Sequence, residues 1–226
     1  MTTNQQSIDA YRGVQQRMRA LLQDADEGVA DAMVPATPEW RVRDLVAHVV
    51  GVADDVVAGR LEGAGSDPWT AVQVEQRRGR TIEELLEEWQ AVTPGFESAL
   101  LATDPVQAAQ AVFDVTTHEH DLRGALQAPG ARDSDGVDVG WGWATAIVAQ
   151  LRDGYGSGAI RLVTDKGEDV LGTGEPTAAV RADRFELWRA MTGRRSPEQV
   201  RAWDWEGEPA IEAVCLLPAR STPLVE

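Results

Sequence analysis

The stretch Phe113-Asp-Val-Thr-Thr-His-Glu-His-Asp-Leu122 restricts this chain more than any other. It holds two of the three histidines. The third, His48, lies in Trp40-Arg-Val-Arg-Asp-Leu-Val-Ala-His48, inside the apolar run Leu45–Val50. Read as a helix, the first stretch stacks Asp114 and His118 on one face at a spacing of i, i+4, and Asp121 joins that face three residues after His118. His120 and Glu119 point off it. Two such helices facing each other would bring one carboxylate and two imidazoles, His48, Asp114 and His118, onto a divalent metal. A three-ligand set leaves an open coordination position, as catalytic sites do.

Spacing alone leaves a plainer reading open. An i, i+4 Asp–His pair also serves as an ordinary surface pair worth roughly 0.2–0.5 kcal/mol. A lone histidine in an apolar run also serves as a hydrogen-bonded core residue. Two residues at helical spacing are a weak metal signal.

Periodicity organises the rest. Ile8, Tyr11, Val14, Met18, Leu21 and Leu22 mark an amphipathic helix from Gln5 to about Asp26. Pro35-Ala-Thr-Pro38 separates it from a second helix over Val42 to Leu61, with Thr37 or the preceding turn expected as its cap because Arg41 stands in the cap position. Gly63–Pro68 reads as a loop and Gln73–Gly79 as a polar segment. Thr81-Ile-Glu-Glu84 is a capping box that opens a third helix, which Pro94 is expected to kink or split. Asp104-Pro105 opens a fourth helix that carries Asp114 and His118, and Val137 to Arg152 forms a fifth.

The turn-rich Asp153–Gly158 is the expected domain boundary, giving domains over residues 1–153 and 158–226. Beyond it, Ala159–Thr164 and Asp169–Leu171 predict a hairpin, Ala178–Ala182 a strand, Arg184–Met191 and the segment after Ser196 two short helices, and Glu212–Leu217 a last strand. The fold class is mainly α, α+β overall, a helical bundle followed by a small α+β domain.

Thirty-seven acidic against 21 basic residues give a net charge of −16, which argues against nucleic-acid binding. No apolar run approaches membrane-spanning length and the N-terminus is polar, so the expected location is cytoplasmic, without membrane association. The single cysteine, Cys215, sits in the apolar run Ala213–Leu217 and reads as a small hydrophobe rather than a nucleophile.

The motif Pro38-x-Trp40-x-Val42-x-Asp44-Leu45-x-x-His48 resembles a signature of the mycothiol-dependent maleylpyruvate isomerase family, within the wider DinB-like metal-binding four-helix bundles. The His118-x-x-Asp121-Leu122 step resembles the family's second signature, in which a carboxylate precedes the histidine by four residues. The region after residue 158 is similar, more loosely, to the sterol-carrier-like C-terminal domain of the same family. The resemblance implies metal ligation by His48, Asp114 and His118. Where the family has Glu this chain has Asp114, one methylene shorter, so the helices must approach more closely or a water must intervene; Glu119 and His120 are the nearby alternates.

Zn is the expected metal for mixed nitrogen and oxygen ligation near a thiol, with Ni, Fe and Mn as alternatives. Asp44, four residues before His48, and Asp121 are expected to orient the two imidazoles, although Asp44 at a helix start is also favoured there by the helix dipole. Arg77, Arg80 and Arg195 are candidate contacts for an anionic substrate. The implied activity is activation of an external thiol, mycothiol, for isomerisation or S-transfer on a small electrophile, by a monomer or homodimer. A non-enzymatic small-molecule binder with a structural metal and a metal-dependent hydrolase are the competing readings.

Overall fold

The computed structural model describes residues 2–226. They form two compact units, residues 2–130 with Glu226, and residues 131–225.

The first unit is helical: α1 (Asn4–Leu22), α2 (Glu27–Ala30), α3 (Val42–Ala58), α4 (Asp67–Gln76), α5 (Ile82–Ala102) and α6 (Pro105–Ala125). Local chemistry sets the starts. Thr3 with Gln6 and Thr81 with Glu84 form reciprocal capping boxes, and the Asp104 carboxylate accepts from the Val106 amide with Pro105 in the first turn. Helix α1 packs on α5 and α6, and α3 packs on α5 and α6, so α1, α3, α5 and α6 make a four-helix bundle. Its centre is apolar and closed, with Val14, Met18, Leu45, Leu85, Trp89, Phe96, Val112 and Leu122 buried. Tyr11 packs its ring 4.6 Å from that of Phe96, and its hydroxyl accepts from Trp89 Nε1 at 2.8 Å.

Three local expectations change. The start of α3 is capped by Asp44, whose Oδ2 accepts from the Arg41 amide at 2.9 Å, and not by Thr37. The segment from Asp67 to Gln76, expected as loop and polar linker, is helix α4, started by Ser66 with Pro68 in the first turn. Pro94 does not split α5, which runs unbroken to Ala102.

The second unit begins with α7 (Asp135–Tyr155), followed by β1 (Ala159–Thr164), β2 (Gly167–Leu171), β3 (Pro176–Arg181), α8 (Arg184–Met191), α9 (Pro197–Arg201) and β4 (Asp204–Glu206). The sheet order is β2-β1-β3-β4, with β1 parallel to β3 and the other pairs antiparallel. Helix α7 packs on β2 and α8, with Trp141 Nε1 donating to Asp169 Oδ2 at 3.1 Å and Asp138 paired to Arg184. It therefore belongs to the unit of the sheet. The break between units falls at Gly130 and Ala131, while Asp153–Gly158, the boundary expected from composition, is the end of α7 and its turn into β1, made by Gly156 at φ +64°.

The last predicted strand is also different. Ile211–Val214 is a short 3-10 turn, and the amides of Leu216 and Leu217 donate to the Met191 carbonyl at the end of α8. Those amides satisfy a helix terminus, and the fourth strand is supplied by Asp204–Glu206 instead. Among the described residues no helix is long and apolar enough to cross a membrane.

Glu119 ties the bundle together from inside. Its fully buried carboxylate takes two bonds from Arg17 on α1, at 2.8 and 2.7 Å, and one from Arg123 Nε on its own helix at 3.0 Å. Removing one side of such a buried pair leaves charge without its partner. Glu119→Ala is expected to lower the unfolding free energy by about 3 kcal/mol, read as a fall in the urea midpoint; an unchanged midpoint would show the pair to be energetically idle.

Candidate metal centre

Helices α3 and α6 meet where each carries a histidine. Asp114 Oδ1 lies 3.9 Å from His48 Nε2 and 3.7 Å from His118 Nε2. One ligand atom from each of His48, Asp114 and His118 falls within 4.8 Å of the others, and this is the cluster of metal-ligating type found among the described residues. Donor atoms around a tetrahedral ion with bonds of about 2.1 Å stand roughly 3.4 Å apart. Asp114 Oδ1 stands within about 0.5 Å of that spacing from each imidazole nitrogen. The shorter Asp114 side chain therefore spans the gap between the helices without a longer carboxylate.

Both imidazoles present the same nitrogen. His118 Nδ1 lies 3.2 Å from Asp121 Oδ2, and with Asp121 as a carboxylate the ring proton sits on Nδ1, leaving the Nε2 lone pair toward Asp114. Burial lowers the His118 pKa, opposed by the hydrogen bond to Asp121 and the charge of Asp114. Burial wins, so the ring holds the neutral form that a metal ligand requires. His48 Nδ1 lies 2.8 Å from Gln73 Oε1 on α4, again leaving Nε2 to face Asp114. The donor set fits a divalent cation: two imidazole lone pairs and one carboxylate, each imidazole backed by an acceptor on its far nitrogen.

Trp40 closes one side. Its ring centroid is 5.1 Å from that of His48 and 5.7 Å from that of His118. The two histidine rings themselves stand edge to face at 4.9 Å. Asp114 is the exposed member, with 37% of its side chain accessible against 6% and 8% for the histidines, so solvent reaches the cluster at the carboxylate.

A family model described as mycothiol maleylpyruvate isomerase N-terminal domain matches residues 11–129. The chain belongs to this family. A crystal structure of the mycothiol-dependent maleylpyruvate isomerase, as a histidine-to-alanine mutant, aligns with a TM-score of 0.63 at 14% identity, over 92% of this chain and 97% of that one. A second crystal structure of the mycothiol-dependent maleylpyruvate isomerase gives a TM-score of 0.58 at the same identity and coverage. No curated protein sequence matches the chain. At this identity the structural likeness shows the shared fold: a helical bundle and a small mixed sheet.

In this member of the isomerase family the other candidate residues are placed differently from the sequence expectation. Asp44 caps α3, and the acceptor behind His48 is Gln73. Arg77 is buried and bound to Glu88 Oε1 at 2.7 Å and Asp54 Oδ2 at 3.1 Å, so it joins α4 to α3 and α5. Arg80 pairs with Glu88 at 2.5 Å. Arg195, in the second unit, is buried against Glu186 with bonds of 2.6 and 2.9 Å. All three guanidiniums meet carboxylates of the chain itself. Glu119, an alternate ligand by sequence, is held by Arg17 and Arg123 as described. Gln73 went unnoticed in the sequence because α4 has almost no amphipathic pattern; the Ser66-Asp-Pro start was the available signal.

His118→Ala is expected to abolish stoichiometric zinc binding while the helical circular dichroism stays near that of the parent, since the bundle core is apolar without the cluster. Retained stoichiometric metal would remove His118 from the ligand set; loss of helicity would assign it a structural role.

Proposed function

We propose that the chain is a metal-dependent enzyme that uses an external small thiol, mycothiol, as its nucleophile, for cis–trans isomerisation or S-transfer on a small electrophilic substrate. The observation that carries this reading is the convergence of His48 Nε2, His118 Nε2 and Asp114 Oδ1 at one solvent-reached point, together with membership of the isomerase family.

A bound divalent cation supplies Lewis acidity, which holds a thiol of ordinary pKa about 8.5 as thiolate near neutral pH. The chain does the rest. His48 and His118 would offer their Nε2 nitrogens, and Asp114 a charge that offsets part of the cation's. Trp40 keeps water from the faces of both rings and leaves approach to the Asp114 side. Thiolate addition to an electrophilic alkene carbon forms a carbon–sulfur bond and turns the double bond into a rotatable single bond. Expulsion of the thiolate restores the double bond, so isomerisation consumes no thiol.

The chain's own cysteine is poorly suited to that role. Burial, with Glu212 adding to it, pushes the Cys215 thiol up to about 11. A shift of that size makes the thiolate about 100-fold scarcer at pH 8 than in an unfolded chain. Alkylation of native Cys215 at pH 8 is expected to be slower by at least that factor, and Cys215→Ser is expected to retain activity. Fast native alkylation, or loss of activity in the folded variant, would return Cys215 to candidacy.

The central assay uses cobalt in place of zinc. Titration of cobalt-loaded protein with mycothiol is expected to raise a ligand-to-metal charge-transfer band in the near ultraviolet. Absence of the band, with an apolar ligand bound equally well by metal-free protein, would favour a binding protein. Turnover of an ester or amide with no thiol present would favour hydrolysis.

A further inference from the structure

Behind His48 runs a chain of hydrogen bonds that ends at a charged pair. His48 Nδ1 meets Gln73 Oε1 at 2.8 Å, Gln73 Nε2 donates to Asp55 Oδ2 at 2.8 Å, and Asp55 Oδ1 accepts from Arg60 Nε at 2.7 Å. Gln73 is fully buried and Asp55 nearly so. The chemistry of the far end dictates the near end. An ionised carboxylate only accepts, so the amide of Gln73 must turn its NH2 toward Asp55. Its oxygen then faces His48, and an amide oxygen only accepts, so the ring proton of His48 must sit on Nδ1.

We propose that Gln73 and Asp55 are positioning residues that set the tautomer of His48, directing its Nε2 lone pair at the Asp114–His118 side. For its effect on metal affinity this inference rests on His48 being a ligand; for the tautomer itself it does not.

The packing is built around this contact. A Cβ at Gly51 would come within 2.5 Å of Gln73 Cβ and 2.8 Å of its Cγ, so the absence of a side chain on α3 is what lets α4 bring Gln73 to His48. Arg77 at the end of α4 pairs with Asp54 on α3 and Glu88 on α5, and Trp69 Nε1 donates to the Arg60 carbonyl at 3.0 Å, fixing α4 at both ends.

The sharpest test changes one atom two residues away from the ring. In Asp55→Asn, Arg60 stays paired to Asp54 through Nη2 while its Nε–H still faces residue 55, so the Asn oxygen turns to Arg60 and its NH2 faces Gln73. Gln73 then flips, offers its own NH2 to His48, and moves the ring proton to Nε2. Long-range proton–nitrogen spectra of metal-free protein, which has three histidines to assign, are expected to show His48 protonated at Nδ1 in the parent and at Nε2 in Asp55→Asn. The double variant Asp55→Asn/Gln73→Glu restores an acceptor at His48 and is expected to return the proton to Nδ1. Zinc affinity by calorimetry is expected to fall about 10–100-fold in Asp55→Asn and to recover in the double variant.

An Nε2-protonated His48 in the parent, or the same tautomer in parent and a folded Asp55→Asn, overturns the proposal. Should Asp55→Asn not fold, Gly51→Ala displaces Gln73 without removing a polar group, and an unaltered His48 tautomer there overturns it equally. A parent that binds no zinc yet shows the tautomer switch overturns the metal reading and leaves the positioning role standing.

Discussion

The convergence of one carboxylate and two imidazole nitrogens at the meeting of α3 and α6 is the constraint on which the candidate site depends. Asp114 Oδ1 stands 3.7 Å from His118 Nε2 along α6 and 3.9 Å from His48 Nε2 across to α3, and the second distance exists only because α3 and α6 pack at short range. Short range in turn depends on what lies behind each helix. Apolar burial in the bundle supplies the general attraction, of order 25 cal/mol per Å², but it does not choose a rotation of α6 about its axis. The fully buried Glu119, gripped by Arg17 from α1 and by Arg123 from its own helix, sits one residue from His118, and its only bond to another helix is the one to α1. Directional ion pairing therefore fixes which face of α6 turns to α3.

The arginines of this acidic chain follow one logic. Arg77, Arg80 and Arg195 look from composition like a surface for anions, since positive charge is scarce against 37 acidic residues. Scarcity has the opposite effect. With acids in excess, each guanidinium finds a carboxylate on a neighbouring element: Arg77 and Arg80 share Glu88, and Arg195 takes Glu186. Arg77 and Arg195 are buried in these pairs and Arg80 half-exposed, and arginines so engaged hold elements in register more than they recruit ligands. In Arg77 that role reaches the site indirectly, because it anchors the helix that carries Gln73.

An imidazole that is to present one nitrogen needs an acceptor behind the other, and two different devices supply it. Behind His118 the acceptor is Asp121, three residues along the same helix. Behind His48 it is an amide from another helix, oriented by a carboxylate that is oriented by an arginine. The local device is set by helix geometry. The remote one is set by packing, with Gly51 as the point of contact.

That contrast also separates what the chain's sequence determined from what only the tertiary structure decided. The four bundle helices, the capping box at Thr81, the family membership and the pairing of Asp114 with His118 on one face were legible, because caps and i, i+4 stacking depend on residues within a turn of each other. The role of Asp44 was not, since its spacing suits either a cap or an imidazole partner and the free Arg41 amide decides between them. Helix α4, the limit of the first unit at Gly130, and the replacement of the last predicted strand by a 3-10 turn were equally hidden. Each depends on partners far along the chain: Gln73 on His48, α7 on β2, the Leu216 and Leu217 amides on the Met191 carbonyl. A hydrogen bond or a close approach between distant segments has no period in sequence, so only the folded chain brings such partners within reach.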